Sequence, residues 1–280
     1  VALRTRTPLI GKWNAAQRRW DPCGTANIVF DSVVRRVSFL TSDLTTMGII
    51  QDKDFDVPFE QWNIYPVDSD EVMLVLEGRR RGENSDRELR ISIKDSQCKL
   101  VSPDDKELGH LRGQWLSPAT LLRQLAKAGY NFLLTNADAE FIPTILPKSD
   151  ALEQKGYRDI AMFCSIHAFA SSRHNKNGED KDLALFRMSA EQRPLDADDA
   201  FMVDVDEDDK WRSVRYETGR CVFAQWKEND EELNMGNAPG KETHLNLYMM
   251  LASDYGAEAV KYLQQSVMQM LSLLRPFTWG

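Results

Sequence analysis

No Cys-x-x-Cys step occurs in these 280 residues, and the four cysteines, Cys23, Cys98, Cys164 and Cys221, are widely and irregularly spaced. Such spacing suits neither a disulfide framework nor paired metal ligands, so free thiols in a reducing compartment are expected. No apolar run approaches the roughly 18 residues that a bilayer crossing needs. The most apolar stretch, Ile160 to Ala170, is short and carries Cys164 and His167. Asn-x-Ser/Thr sequons are absent, which leaves no sign of secretion. The first residue is Val1 and not Met, so a larger parent protein is expected.

The marks of catalysis are missing as well. There is no GxSxG elbow, no Walker loop, no GxGxxG and no HExxH. Only four histidines occur, at 110, 167, 174 and 244. Cys164 and His167, one helical turn apart, are the one pair that suggests a nucleophile or a metal. Two ligands fall short of the usual zinc complement, and on an apolar helix a cysteine behaves as a small hydrophobe. A core role is expected for both, with no cofactor and no catalytic residue.

What is present is a globular composition: 42% hydrophobic and 28% charged residues, with Trp 7, Tyr 7 and Phe 12. That excludes disorder over most of the length. The net charge of −8 argues against a nucleic-acid binder. Charge is unevenly placed, because residues 1–40 hold seven bases against Asp21 and Asp31. Trp13, Arg18, Arg19 and Trp20 form a basic–aromatic patch there. Gly78 and Gly82 bracket Arg79, Arg80 and Arg81, which reads as an exposed hairpin end. The acidic counterpart is Asp196 to Asp209, with eight acids in fourteen positions. Its Asp204, Asp206 and Asp208 suggest a calcium loop, but Asp209 stands where glycine is needed and Arg215 where the closing glutamate belongs. A solvated acidic loop that does not bind calcium is expected.

Patterning gives an α+β fold. Short β-prone runs are expected at Asn27 to Asp31, Val34 to Leu40, Leu44 to Ile50, Glu71 to Leu76 and Glu88 to Lys94. In the last, Leu89, Ile91 and Ile93 alternate with polar neighbours, the period-two signature of a half-buried strand. Ser117 and Pro118 make a helix start, Leu121, Leu122, Leu125 and Ala128 share a face, and Gly129 supplies a stop. A strand over Tyr130 to Leu134 and a buried helix over Gly156 to Ser172 should follow. Further strands are expected at Leu183 to Met188, Trp211 to Glu217 and Cys221 to Trp226. Val260, Leu263, Val267, Met270, Leu271 and Leu274 keep helical spacing, and a helix near His244 to Ala252 would pair with theirs as an antiparallel hairpin. The expected organisation is a basic arm over 1–24, an antiparallel β-sandwich-like domain over 25–113, and a mixed α+β domain over 114–280 that ends in the hairpin.

Several segments resemble a known family. They are Ile49-Ile50-Gln51-Asp52, Pro58-Phe59-Glu60-Gln61-Trp62 with Tyr65-Pro66, and Ile93-Lys94-Asp95-Ser96-Gln97-Cys98. Gly113-Gln114-Trp115-Leu116-Ser117-Pro118, Ala126-Lys127-Ala128-Gly129 and Tyr157-Arg158-Asp159-Ile160-Ala161 follow, then Ala168-Phe169-Ala170-Ser171-Ser172. The ending, from His244-Leu245 to Leu273-Leu274-Arg275, completes the set. Their order and spacing resemble the C-terminal region of the axonemal dynein intermediate chain 7 family, also called cancer susceptibility candidate 1 proteins. The resemblance runs with gaps from about Thr25 to Arg275.

It implies a non-catalytic subunit of a ciliary inner-arm dynein, in the cytoplasm and the axoneme of cilia and flagella. Its implied partners are other inner-arm intermediate and light chains and the tubulin of the doublet microtubule; nucleic acid and membrane are not among them. The family transfers no catalytic residues, and the solitary Trp20-Asp21 gives no sign of a WD-repeat propeller. Arg18, Arg19, Arg79, Arg80 and Arg81 are the candidate partner contacts from charge. Trp62 is a candidate docking residue, although a tryptophan within a β-domain is more often core. A general interaction scaffold outside cilia and a Cys164/His167 enzyme are the alternatives.

Overall fold

The computed structural model describes residues 8–22, 24–31, 33–34, 36–42, 44–50, 56–79, 86–142, 145–177, 180–191, 208–251 and 261–280. It is an α+β protein dominated by antiparallel sheet. The chain divides into two compact units, Val1–Asp54 with Lys127–Gly129, and Phe55–Ala126 with Tyr130–Gly280.

The first unit holds two small sheets. β1 (Leu9–Asn14) lies between β2 (Arg19–Pro22) and β5 (Met47–Ile50), and β3 (Thr25–Asp31) pairs with β4 (Arg36–Thr41). Residues 9–22, expected to belong to a basic arm, therefore carry two strands. β5 is also shorter than the run Leu44 to Ile50 suggested.

The second unit is built on one eight-stranded antiparallel sheet. Its strands are β6 (Phe59–Asp68), β7 (Glu71–Arg79), β8 (Asp86–Lys94), β9 (Gln97–Ser102), β10 (Phe169–Ser171), β11 (Leu183–Ser189), β12 (Trp211–Glu217) and β13 (Arg220–Phe223), in the order β13-β12-β11-β10-β6-β7-β8-β9. Alternation in β8 works as expected: Leu89, Ile91 and Ile93 are buried against β7. The pairing of β6 with β10, Phe169 opposite Ile64, carries the sheet across residue 113, where the sequence suggested a division. Both outer strands are covered. Cys98 of β9 exchanges backbone hydrogen bonds with Leu116 (2.7 and 2.9 Å), and Cys221 of β13 does so with His244 (2.7 and 2.8 Å). Covered edges offer little template for added strands.

The helices among the described residues follow local signals. α1 (Pro118–Lys127) buries Leu121, Leu122 and Leu125, and Gly129, at φ 90°, ends it in the left-handed conformation that a side chain would strain. α2 spans Asp150–Phe163, since Ser149 Oγ accepts the Leu152 N–H at 3.4 Å and starts it earlier than Gly156. It also ends earlier than expected: the apolar run after Phe163 turns and becomes β10, because a fully buried strand and a buried helix read alike. Tyr130 to Leu134 is irregular and not a strand. α3 (Leu247–Met250) is a single turn, and α4 (Lys261–Leu274) packs against α2. α5 (Pro276–Trp279) closes the core: the Phe277 ring lies 4.7 Å from Tyr157, 5.5 Å from Phe186 and 6.2 Å from Trp62. Gly156 is what lets that ring approach α2, for a methyl group there would overlap Phe277.

Candidate partner-binding surface

The basic–aromatic patch becomes a structured ribbon. β1 and β2 meet in a turn whose first residue, Asn14, accepts the N–H groups of Ala16 and Gln17 on Oδ1 (3.1 Å each). Its amide donates to Asp21 at 2.8 Å, and Arg19 Nε donates to the same carboxylate at 2.7 Å. The Asn14 hydrogen bond, supported by Arg19, holds the Asp21 carboxyl below its ordinary range. Arg18 completes the turn at φ 50° and stands exposed, as does Arg19.

The same hairpin sets Trp13 opposite Trp20, with ring centroids 5.3 Å apart. Gly11 and Gly48 are opposite each other in β1 and β5, and Trp20 lies against both. A Cβ at 48 would stand 3.0 Å from the indole, so the glycine pair makes the seat on which the ring lies. The outer surfaces remain open: Trp13 is 39% and Trp20 41% exposed.

Apolar exposure is concentrated in this unit. Nine of the sixteen exposed large hydrophobics among the described residues fall between Leu9 and Ile49. None of the residues of β3 or β4 is fully buried, and Val29 and Leu40 are both 61% exposed. A two-stranded ribbon is marginal without a covering layer, and contiguous exposed apolar surface marks a docking region. The exposed tryptophans and arginines of the β1–β2 hairpin are residue types enriched in interface hot spots.

The other sequence candidates separate. Arg79 ends β7 opposite Asp86 of β8, in the hairpin expected there, while Arg80 and Arg81 lie outside the described residues. Trp62 is a correction. At 2% exposure it is buried in β6, its backbone N–H donating to Ser171 Oγ at 3.1 Å, and it presents no docking surface. The stretch 196–207 lies outside the described residues; Asp208 begins a short 3-10 turn, Asp208–Lys210.

Cys164 and His167 lie in the core. Cys164 caps the end of α2 with its thiol donating to the Ala161 carbonyl at 3.4 Å, and burial pushes that thiol up to about 12. A thiol held protonated by burial resists forming the thiolate that a nucleophile needs. His167 is 2% exposed, with Nδ1 3.4 Å from Ser189 Oγ. Among the described residues no three His, Cys, Asp or Glu side chains converge as a metal site, and no helix is long and apolar enough to cross a membrane.

Sequence reasoning missed the polar knot of the core. Glu153, 3% exposed, accepts from Tyr157 (2.9 Å), Thr278 (2.7 Å) and Arg275 Nε (2.7 Å). Asp159 accepts from Tyr216 (2.8 Å) and the Leu247 N–H (3.1 Å), and its burial raises the carboxyl in spite of both bonds.

No family model matches this chain. Among curated proteins it is similar to Dynein axonemal intermediate chain 7 of Bos taurus, at 24% identity over 92% of this chain and 34% of that protein. The protein of the same name from Danio rerio is 24% identical over 92% of this chain and 33% of its own length, and that from Homo sapiens 24% over 95% and 35%. The chain thus spans about a third of the length of the curated relatives it matches. Over nearly all of its own length it has a distant but consistent match to the Dynein axonemal intermediate chain 7 family, the family its sequence motifs resemble.

Proposed function

We propose that this chain is a non-catalytic part of an axonemal dynein subunit of the inner arm, working in the cilium or flagellum as a protein-interaction unit. The observation that carries this reading is the similarity, over nearly the whole chain, to proteins named as axonemal dynein intermediate chains. The burial of Cys164 and His167 supports this reading over a Cys164/His167 enzyme. In this reading the β1–β2 ribbon and the exposed β3–β4 face bind other intermediate and light chains of the dynein. Arg18 and Arg19, with Arg79, Arg80 and Arg81, contact the acidic surface of tubulin. A general scaffold outside cilia would use the same surfaces with different partners, and no feature of the chain favours it.

Microtubule co-sedimentation of the full chain tests the tubulin contact. Exposed ion pairs contribute about 0.2–1 kcal/mol each, so Arg79→Ala, Arg80→Ala and Arg81→Ala together should weaken binding about threefold or more. Arg18→Ala with Arg19→Ala should act in the same direction, and binding should fall as salt rises, because screening confines exposed charges to about 8 Å at physiological ionic strength. Unchanged binding in both variants would reject charge as the basis of contact.

A further inference from the structure

The β13 end of the large sheet carries a concavity lined by none of the candidate partner residues. It is bounded by β11, β12, β13 and the segments that follow β13, and encloses about 230 Å³. Four bases line it, Arg187, Arg212, Lys227 and Lys241, against one acid, Glu228. Two of the bases are already engaged. Arg187 is buried, donates to the Ser171 carbonyl at 3.0 Å and lies 3.7 Å from Glu228, while Lys227 pairs with Asp209 at 3.3 Å.

Glu228 is engaged too, since its other oxygen accepts the Arg173 N–H at 3.0 Å. Nothing acidic in the wall is left for Arg212 and Lys241. Both are exposed, and neither has an ion-pair partner among the described residues. Both nevertheless converge on one ring: the Arg212 guanidinium lies 5.4 Å and the Lys241 ammonium 5.9 Å from the Phe223 centroid. The ring attracts each cation, but two like charges held against it repel each other. A shared anion relieves that repulsion and gains two charge-assisted hydrogen bonds.

We infer that this groove is a binding site for an acidic peptide segment of a partner protein. One carboxylate side chain lies between Arg212 and Lys241 with its aliphatic stem on Phe223. Size and chemistry favour a peptide over a small molecule. Ligand pockets for drug-sized molecules start at about 300 Å³, and the enclosed volume is below that, enough for one or two side chains. The covered β13 edge excludes strand addition, so the contact is through side chains.

The test is fluorescence anisotropy of a labelled octaglutamate peptide with the full chain, at low and at physiological salt. Binding should be saturable, absent with octalysine, and weakened about tenfold or more by Arg212→Ala with Lys241→Ala. Arg212→Lys with Lys241→Arg should retain most of the affinity. Phe223→Leu, which keeps both charges and removes the ring, should weaken it severalfold if the groove and not loose surface charge is the site. Unfolding midpoints of all variants should be measured alongside, and the double alanine variant or Phe223→Leu, if of unchanged stability and binding as the parent does, overturns the proposal. Competition by inorganic phosphate as effective as by unlabelled octaglutamate would also overturn it, since the groove would then be a simple anion site.

Discussion

Replacing Glu153 with alanine should lower the free energy of unfolding by about 3–5 kcal/mol, the scale expected when one member of a buried ion pair is removed. The carboxylate stands in the first turn of α2, where it also favours the helix N-terminus. From there it reaches the chain's last residues. Arg275, which enters α5 in the left-handed conformation at φ 52°, donates to Glu153 from Nε, and its side chain is only 12% exposed. Thr278 donates to Glu153 and accepts the Lys148 N–H at 3.0 Å, while Tyr157 donates to Glu153 and accepts the Phe277 N–H at 2.9 Å. Removing the carboxylate takes the acceptor from two hydroxyls and the buried ionic partner from a guanidinium that keeps only Asn136 Oδ1, Thr278 and the more distant Asp150. Glu153→Gln keeps an acceptor oxygen and loses the charge, so its cost should be smaller, about 1–3 kcal/mol. Urea unfolding of the three proteins orders them, and an alanine variant within 1 kcal/mol of the parent by the linear extrapolation would contradict the network.

Trp62→Ala should cost about 3–5 kcal/mol, the range for deleting a large aromatic from a packed core. Trp62 lies opposite Leu76 in the β6–β7 pair, faces Phe277 across 6.2 Å, and leaves no room for a side chain at Gly280. Its loss opens a cavity where the middle of the sheet meets α5. Trp62→Phe fills part of that space and should recover more than half of the stability. The pair of variants also separates core from interface. A core tryptophan changes the denaturant midpoint first and affects partner binding only through unfolding. A docking tryptophan would lose binding at unchanged stability, and that outcome would contradict its placement.

The two residues show what a sequence displays and what it hides. Strands with one face buried announce themselves: Leu89, Ile91 and Ile93 of β8 alternate, and the structure buries all three. The helix signals at Ser117, Pro118 and Gly129 are local, and α1 starts and stops where they stand. β6 hid because Trp62, Asn63 and Ile64 are buried in succession, which erases the period of two, and Pro66 reads as a breaker. β10 hid inside an apolar run that continues α2. The bases and tryptophans of the β1–β2 hairpin were legible from composition, but the glycine seat beneath Trp20 requires β5, which joins from more than twenty residues away. Glu153 and Arg275 stand 122 residues apart, and no local spacing connects them. The groove around Phe223 likewise forms only when β11, β12 and β13 are side by side.

The central claim is that this chain works by holding axonemal dynein partners together. Its most direct test is chemical cross-linking in isolated axonemes carrying the tagged full-length protein, followed by mass spectrometry of what the tag retrieves. The account predicts enrichment of axonemal dynein intermediate and light chains, with cross-links that reach the segment from Leu9 to Ile50. Retrieval without any axonemal dynein subunit above the untagged control would contradict it.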